Sequence, residues 1–237
     1  MFAGPNGSGK STLKHLIPAD MLGIYVNPDD IEREIRSNGY LDMASYGVSG
    51  TQGEVFNFFT QSTFLAQTGR SSLVGQIVIS KHKFVLASQF VDSYIASVLS
   101  DFIRQQLLKQ RKSFTFETVM SSPDKVKLLE RAQSLGYRTY LYYIATEDPR
   151  INVSRVQGRM RRGGHGVPED KIVTRYFRSL DLLLEAIRYS NRAYIFDNSG
   201  EGEERIWIAE ITDGSDLQMK TVRVPNWFND AVLEKIS

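Results

Sequence analysis

A phosphate-binding loop near the start of the sequence constrains the fold more than any other feature. Residues 4–11 read Gly-Pro-Asn-Gly-Ser-Gly-Lys-Ser, which matches the Walker A pattern G-x-x-x-x-G-K-[ST]. In this motif the loop joins a strand to a helix, and its backbone N–H groups point at a phosphate chain. A plain turn would need the glycines but not the Lys-Ser pair. The motif therefore predicts an α/β fold that binds a nucleoside triphosphate.

The residues of the loop have separate predicted roles. Lys10 is expected to reach the β- and γ-phosphates of ATP, and the Ser11 hydroxyl is expected to ligate Mg²⁺. The N-terminus of the helix that follows adds its dipole to the same anion. The residues assigned to ATP binding are Gly4, Pro5, Asn6, Gly7, Ser8, Gly9, Lys10, Ser11 and Thr12.

Composition narrows the class of protein. The chain of 237 residues is 41% hydrophobic, which is enough for a full α/β core, and it contains no cysteine, which excludes thiol catalysis and disulfides. A net charge of +2 does not indicate a nucleic-acid partner, although arginine clusters suit an anionic substrate. There is no secretory leader and no long apolar run. We therefore expect a cytoplasmic protein without a membrane partner.

Short apolar runs separated by helical patterns predict a parallel sheet with helices on both faces. The predicted core strands are Gly23–Val26, Ser113–Phe116, Arg138–Ala145 and Ala193–Phe196. Only residues 1–3 precede the loop, so either the first strand is very short or the native chain has a few more residues. A helix is predicted over Pro123–Leu135, with Ser122 as N-cap and Gly136 just past its end.

Residues 41–112 are predicted to form a helical insertion that flanks the core of one domain spanning residues 1–237. Thr51 and Glu54 form a capping-box pattern ahead of one helix. A second helix is predicted from Phe84 to Phe102 because apolar residues recur there at helical spacing. Two packed helices are favoured over a coiled-coil surface for a partner, which would need a longer pattern.

The C-terminal segment, about residues 204–224, reads as a β-hairpin. Glu204–Ile211 and Leu217–Val224 flank an Asp-Gly-Ser turn at residues 213–215. We expect this hairpin to close one edge of the sheet.

Two other classes of phosphate-loop protein lack support. A GTPase would carry an Asn-Lys-x-Asp motif, which this sequence does not contain. Residues 48–52 superficially resemble the signature peptide of transporter-type ATPases, but no apolar run ending in Asp-Glu follows them. A kinase remains.

Carboxylates at the ends of two predicted strands are candidates for the chemistry. Asp29 and Asp30 follow the second strand, and the carboxyl ends of parallel strands form the ligand crevice of such a sheet. One of the two carboxylates is expected to cap a helix and the other to accept the proton of an attacking hydroxyl, and we favour Asp29 for the chemistry. Glu117 ends another strand, where it is expected to contact substrate hydroxyls or Mg²⁺, and Thr118 and Asp30 are assigned to substrate binding.

An arginine-rich segment, about residues 150–178, predicts a lid over the triphosphate. It is interrupted by a Gly-Gly-His-Gly stretch at residues 163–166, where His165 is a hinge or hydrogen-bonding residue rather than a metal ligand. Any single arginine here could simply be solvated. Because arginine stabilises the charge that develops during phosphoryl transfer, we assign catalytic roles to Arg161, Arg162 and Arg175.

Taken in order, these motifs resemble the zeta-toxin-like kinases, in particular the bacterial branch often labelled as predicted ABC-type ATPases. The resemblance rests on Gly4–Thr12, residues 27–31, residues 116–118 and Arg159–Pro168 followed by Arg175-Tyr176, and it continues through Asp197-Asn198-Ser199. It implies a base at Asp29, transition-state stabilisation by lid arginines, an acceptor such as UDP-N-acetylglucosamine, and an antitoxin as a candidate partner. The sequence departs from zeta toxins at Glu32–Asn38, where they carry a His-Pro pair.

The sequence therefore predicts a kinase that moves the γ-phosphoryl group of ATP to a hydroxyl of a small metabolite. The alternative is a nucleotide-dependent regulatory protein with slow hydrolysis, which uses the 41–112 insertion as an interface. A polynucleotide kinase would need a basic channel, which the near-neutral charge balance does not favour.

Overall fold

The computed structural model describes residues 1–163, 166–200 and 205–236. The strands, numbered in chain order, are β1 (Phe2–Ala3), β2 (Ile24–Val26), β3 (Tyr40–Asp42), β4 (Val78–Ser80), β5 (Lys83–Val85), β6 (Phe114–Thr118), β7 (Tyr140–Ala145), β8 (Arg192–Asp197), β9 (Ile206–Thr212) and β10 (Asp216–Met219).

The α-helices are α1 (Lys10–Leu13), α2 (Ala19–Leu22), α3 (Pro28–Asn38), α4 (Gln52–Thr60), α5 (Thr63–Gln67), α6 (Ser93–Lys109), α7 (Asp124–Ser134), α8 (Pro149–Arg161), α9 (Glu169–Asp181), α10 (Leu183–Arg188), α11 (Asn226–Phe228) and α12 (Glu234–Ile236). Short 3₁₀ turns cover Lys14–Leu16, Met43–Tyr46, Ser71–Gln76 and Ser88–Phe90, and a π-helical turn covers Asn229–Leu233. No helix among the described residues is long and apolar enough to cross a membrane.

The strands confirm the predicted fold class. Seven of them form one sheet in the order β10-β9-β8-β7-β1-β6-β2, in which β8 through β2 are parallel and β9 and β10 antiparallel. The chain divides into two compact units, one of Met1–Ile17 with Glu117–Ser237 and one of Pro18–Phe116. Strand β6 contributes to both units, because it pairs with β2 through residues 114–116 and with β1 through residues 117–118.

The first unit places the phosphate loop directly after β1, an interior strand of the sheet. Strand β1 has only two residues, Phe2 and Ala3, and both are fully buried between β6 and β7.

Helix α7 begins at Asp124, and Pro123 is its N-cap without a side-chain hydrogen bond, so the prediction that Ser122 caps this helix was wrong. The C-terminal end of α7 was predicted correctly. Gly136 has φ 81°, and the backbone N–H groups of residues 136 and 137 donate to carbonyls of the last turn.

The C-terminal hairpin has the predicted turn and position. Strands β9 and β10 are antiparallel, and β10 is the outermost strand of the sheet. Asp213 and Gly214 both have positive φ, 47° and 74°, as a type I′ turn requires. The second strand ends at Met219 rather than Val224, and Glu204, predicted to open the first strand, lies outside the described residues.

The second unit is only partly helical. The capping box of Thr51 and Glu54 is confirmed at the start of α4. The long helix from Phe84 to Phe102 is wrong: Phe84 lies in β5, the middle strand of an antiparallel sheet ordered β3-β5-β4. Phe84 and Leu86 are buried at the two-residue spacing of a strand. Helix α6 begins only at Ser93, because the Asp92 carboxylate accepts the first free backbone N–H groups of the helix.

Candidate functional site

The phosphate loop folds as its sequence predicts. Gly4 has φ 145°, and a Cβ at this position would lie 2.0 Å from the carbonyl oxygen of Ile144 on β7. Only glycine permits both this conformation and this approach of the loop to the neighbouring strand. Lys10 extends its Nζ back across the loop and donates to the carbonyl oxygens of Gly4 and Pro5, at 2.8 Å each. The ammonium group therefore lies inside the loop.

The helix after the loop is short. Helix α1 is one turn that continues as the 3₁₀ turn Lys14–Leu16, and the Thr12 hydroxyl donates to the Gly9 carbonyl at 2.6 Å within that first turn. The orientation of the loop consequently depends on contacts from other elements.

Two residues predicted to serve the metal or the substrate lie together. The Ser11 hydroxyl donates to Oε1 of Glu117 at 3.1 Å, across the junction between β1 and β6. Glu117 is buried, with 8% of its surface exposed, whereas Ser11 faces solvent. One hydroxyl and one carboxylate suit Mg²⁺, which takes few protein ligands and the remainder from phosphates and water. The described residues include no group of three or more His, Cys, Asp or Glu side chains that could hold a metal alone.

The chain makes an unusual turn directly after Glu117. The Thr118 hydroxyl accepts a hydrogen bond from the Met120 backbone at 2.9 Å. Met120 is fully buried and has φ 53°, a conformation that non-glycine residues rarely adopt. Backbone strain of this kind concentrates at functional sites, and Met120 follows Glu117 by three residues.

Two asparagines that the sequence did not single out individually hold the phosphate loop. Asn198, just after β8, donates from Nδ2 to the Ser8 carbonyl at 2.8 Å. Asn152, in the first turn of α8, donates from Nδ2 to the Asn6 carbonyl at 2.6 Å and accepts a hydrogen bond from the Thr146 hydroxyl. Asn198 falls within a segment on which the family resemblance rests. Asn152 carries no sequence signal, because one asparagine in a helix resembles any polar helical residue.

A cleft of about 690 Å³ opens beside the phosphate loop. It is lined by Gly7, Gly9, Arg150, Ile151, Ser154, Arg155, Asn198, Ser199 and Gly200. Arg155 forms one wall, where its guanidinium donates to the carbonyls of Asn198 at 2.8 Å and Gly200 at 2.9 Å. The size is typical of small-molecule sites, and the cleft has space for a nucleobase and ribose next to the loop.

A buried carboxylate shapes the wall of this cleft. Asp197 is 4% exposed and accepts hydrogen bonds from the backbone and hydroxyl of Ser199, at 2.9 and 2.8 Å, and from Trp227 Nε1 at 2.8 Å. These three donors satisfy the buried charge and hold the turn that follows β8.

The arginine-rich segment forms two packed helices. Val153 and Val156 of α8 pack against Ile172 of α9. Arg161 is the last residue of α8, Arg162 follows as its C-cap, and both are exposed. Arg161 lies about 14 Å along the helix axis from Asn152, at ~1.5 Å per residue.

Helix α9 is attached to the end of β7. Arg175 is half-buried on α9 beside Tyr176, which donates from its hydroxyl to the Thr146 carbonyl at 2.6 Å. Burial, with help from the nearby carboxylates of Glu147, Asp148 and Asp197, raises the pKa of the Tyr176 hydroxyl, so it stays a donor at neutral pH. Gly164 and His165 of the predicted hinge lie outside the described residues.

In the second unit, the predicted base lies at the start of α3. The N-cap is Asn27, whose Oδ1 accepts from the Asp29 backbone at 2.9 Å, so neither Asp29 nor Asp30 caps this helix with its side chain. Asn27 takes that role because it precedes Pro28, the N1 residue. The Asp29 side chain is exposed, and Asp30 pairs with Arg33 at 2.9 Å.

Comparison with known proteins supports the resemblance seen in the motifs. Residues 87–202 match the family model described as zeta toxin. The crystal structure titled AvrRxo1-ORF1:-ORF2 with ATP superposes on 99% of this chain and 62% of its own, with 16% identity and a TM-score of 0.53. The same pair with sulphate ions covers 93% of this chain and 60% of its own, with 15% identity and a TM-score of 0.53. The predicted similarity to zeta-toxin-like proteins and the predicted fold are confirmed.

The match to one curated relative covers a shorter part of the chain. An uncharacterized protein of Haemophilus influenzae (strain ATCC 51907 / DSM 11121 / KW20 / Rd) is 30% identical over 69 residues, which are 29% of this chain and 49% of that protein. The chain thus spans about half the length of this relative and about three fifths of the solved chains.

Proposed function

We propose that this chain, which resembles the zeta toxin family across residues 87–202, is an ATP-dependent phosphotransferase that phosphorylates a hydroxyl of a small metabolite. The observation that carries the proposal is the phosphate loop, in which the Ser11 hydroxyl lies 3.1 Å from the buried Glu117 carboxylate. In phosphate-loop enzymes Mg²⁺ is held by the Ser or Thr of the loop together with an acidic residue nearby, as these two side chains are arranged. In a kinase, the position of Glu117 faces the phosphoryl group in transfer.

The loop residues bind and orient ATP. When phosphate enters, Lys10 exchanges its two carbonyl partners for oxygens of the β- and γ-phosphates, which are stronger acceptors because they are charged. The cleft bounded by Ile151, Arg155 and Asn198 takes the base and ribose. Ser11 and Glu117 would hold Mg²⁺, which would neutralise charge on the phosphates when bound.

The remaining candidate residues activate the acceptor hydroxyl and stabilise the charge that develops on the phosphoryl group during transfer. Asp29 accepts the proton of the attacking hydroxyl, and its carboxylate is available because Asn27 caps the helix. Asp30 and Thr118, with Glu117, contact the substrate. Arg161, Arg162 and Arg175 contribute to the lid that closes on the phosphoryl group, as arginine fingers do in other phosphoryl transferases.

The family resemblance supports a nucleotide-activated sugar, such as UDP-N-acetylglucosamine, as the acceptor. Glu32–Asn38 stand where zeta toxins carry a His-Pro pair, so the residues that read uridine and sugar in zeta toxins are not carried over to this chain. The similar structures contain AvrRxo1-ORF1 together with AvrRxo1-ORF2, which supports a partner protein, such as an antitoxin, for this chain as well.

A second candidate function is an ATP-binding regulatory protein without a small-molecule acceptor. It is favoured by three large apolar side chains that are exposed within residues 41–112, namely Phe56, Phe64 and Val78. Slow hydrolysis of ATP would then control a partner that covers these side chains.

An acceptor screen separates the two functions. The purified chain is incubated with ATP, Mg²⁺ and a panel of nucleotide sugars and other metabolites, and products are measured by mass spectrometry. The kinase is supported if one acceptor gains a single phosphoryl group, and Lys10→Ala abolishes the product while Lys127→Ala, a change at an exposed lysine of α7, does not. ATP turnover that no acceptor alters would instead support the regulatory function.

A further inference from the structure

We propose that Asn152 is a positioning residue that ties helix α8 to the phosphate loop and sets the orientation of the amide groups that bind phosphate. Three groups are concerned: the Asn6 carbonyl, the Thr146 hydroxyl and the Asn152 carboxamide. We call these three groups the loop latch. The inference rests on the proposed nucleotide binding and adds to it a residue that touches neither ATP nor the acceptor.

The latch is built for an asparagine. Asn152 is fully buried, its Nδ2 donates to the Asn6 carbonyl at 2.6 Å, and its Oδ1 accepts from the Thr146 hydroxyl. The side chain must donate at one end and accept at the other, which only a carboxamide does in this space. Thr146 is also fully buried, and without Asn152 its hydroxyl would be left with its longer hydrogen bond to the Asp148 carbonyl, at 3.3 Å.

Backbone packing reinforces the latch at the tip of the loop. A Cβ at Gly7 would lie 2.6 Å from the Asn152 carbonyl oxygen, so the first turn of α8 rests directly on the loop. Gly7 also has φ 77°, which a side chain would strain further. The loop at residues 6 and 7 is therefore shaped by α8, not by the short helix that follows it in sequence.

The latch also reaches helix α9. The Thr146 carbonyl accepts from the buried Tyr176 hydroxyl at 2.6 Å, and Tyr176 adjoins Arg175, one of the predicted lid residues. Both helices of the arginine-rich segment are thereby joined to the loop at one point. A displacement of these helices is transmitted to the loop amides, and phosphate geometry is sensitive to shifts of about 1 Å.

The test measures phosphate binding in two variants of the full chain. Asn152→Asp keeps the size of the side chain but opposes the Asn6 carbonyl with an oxygen. Thr146→Val keeps the shape of the threonine but removes its hydroxyl. We expect tripolyphosphate and the non-hydrolysable analogue AMP-PNP with Mg²⁺ to bind about tenfold or more weakly to Asn152→Asp, with a smaller loss for Thr146→Val.

Thr139→Val is the matched control. Thr139 directly precedes β7, whereas Thr146 directly follows it. Thr139 is buried, with 5% of its surface exposed, and its hydroxyl donates to the Tyr189 carbonyl at 2.9 Å. It should lower the melting temperature about as much as Thr146→Val while leaving both affinities within about twofold of the wild type. Adenosine, which carries no phosphate, should bind alike to all variants.

The outcomes separate the inference from the proposed function. If the wild type binds neither phosphate ligand, the proposed function fails. If the wild type binds both, and Asn152→Asp binds them equally well or Thr139→Val loses as much affinity as Thr146→Val, Asn152 has only a structural role and the inference is overturned.

Discussion

At the scale of single residues, the site depends on carboxylates with unlike surroundings. Glu117 is buried and hydrogen-bonded to Ser11, Asp30 is paired with Arg33, and Asp29 is exposed on the first turn of α3. A carboxylate that must accept a proton and one that must hold a cation need different environments. Mutation of each should therefore change a different measurable step.

Asp29→Asn is expected to lower phosphoryl transfer by ~10²–10⁴, the usual effect of losing a positioned base, while ATP still binds with Mg²⁺. Transfer is measured with saturating acceptor, and binding by calorimetry. Asp30→Asn serves as the comparison, since its amide oxygen can still contact the substrate and the exposed ion pair with Arg33 that it breaks is worth about 0–1 kcal/mol. Loss of transfer in the Asp30 variant with retention in the Asp29 variant would reverse the assignment.

Glu117→Gln should weaken Mg²⁺ binding in the presence of nucleotide by about 10–100-fold, because the amide can still accept from Ser11 but has no charge for the cation. ATP without Mg²⁺ should bind as it does to the wild type. Metal titrations at constant nucleotide measure both. If the variant alters only the KM of the acceptor, Glu117 contacts the substrate rather than the metal.

At the scale of elements, polar contacts between buried groups attach the α8–α9 pair to β7. The Tyr143 hydroxyl on β7 is hydrogen-bonded to the Ser179 hydroxyl on α9 at 3.0 Å, and Tyr176 on α9 donates to Thr146. Such contacts position a helix pair more specifically than an apolar core alone does, because each buried donor needs its own acceptor.

The buried Tyr143 hydroxyl in this contact predicts that the protein loses stability at alkaline pH. Burial raises the pKa of the Tyr143 hydroxyl far above its usual value, so the folded protein keeps the proton that the unfolded chain releases near pH ~10. The stabilisation is complete below that pH and falls by about 1.4 kcal/mol per pH unit above it. Urea unfolding between pH 8 and 11 measures the slope. In Tyr143→Phe the slope should be smaller by that amount, and an unchanged slope would contradict the assignment.

At the scale of the whole molecule, ligand binding should appear as global stability. ATP with Mg²⁺ at a hundred times its Kd is expected to raise the free energy of unfolding by about 2.7 kcal/mol. For a chain of 237 residues this corresponds to a melting temperature about 5–10 °C higher. Calorimetry with and without nucleotide measures the shift, and Lys10→Ala should lose it. An unshifted wild type would argue against nucleotide binding.

The sequence by itself determined the local features of this protein. The Walker A loop, the capping box at Thr51, the glycine after α7 and the Asp-Gly turn were all predicted, because each depends on the conformational preferences of a few adjacent residues. The four core strands were predicted because buried parallel strands are continuous apolar runs.

Only the tertiary structure decided which distant residues meet. Ser11 and Glu117 are 106 residues apart, and Asn6 and Asn152 are 146 residues apart. The sheet of β3, β5 and β4 was missed for a related reason: its three-residue strands are too short to show a period, and their pairing depends on partners elsewhere in the unit. A pattern records what a residue prefers, whereas a contact between distant residues depends on the packing of all the elements between them.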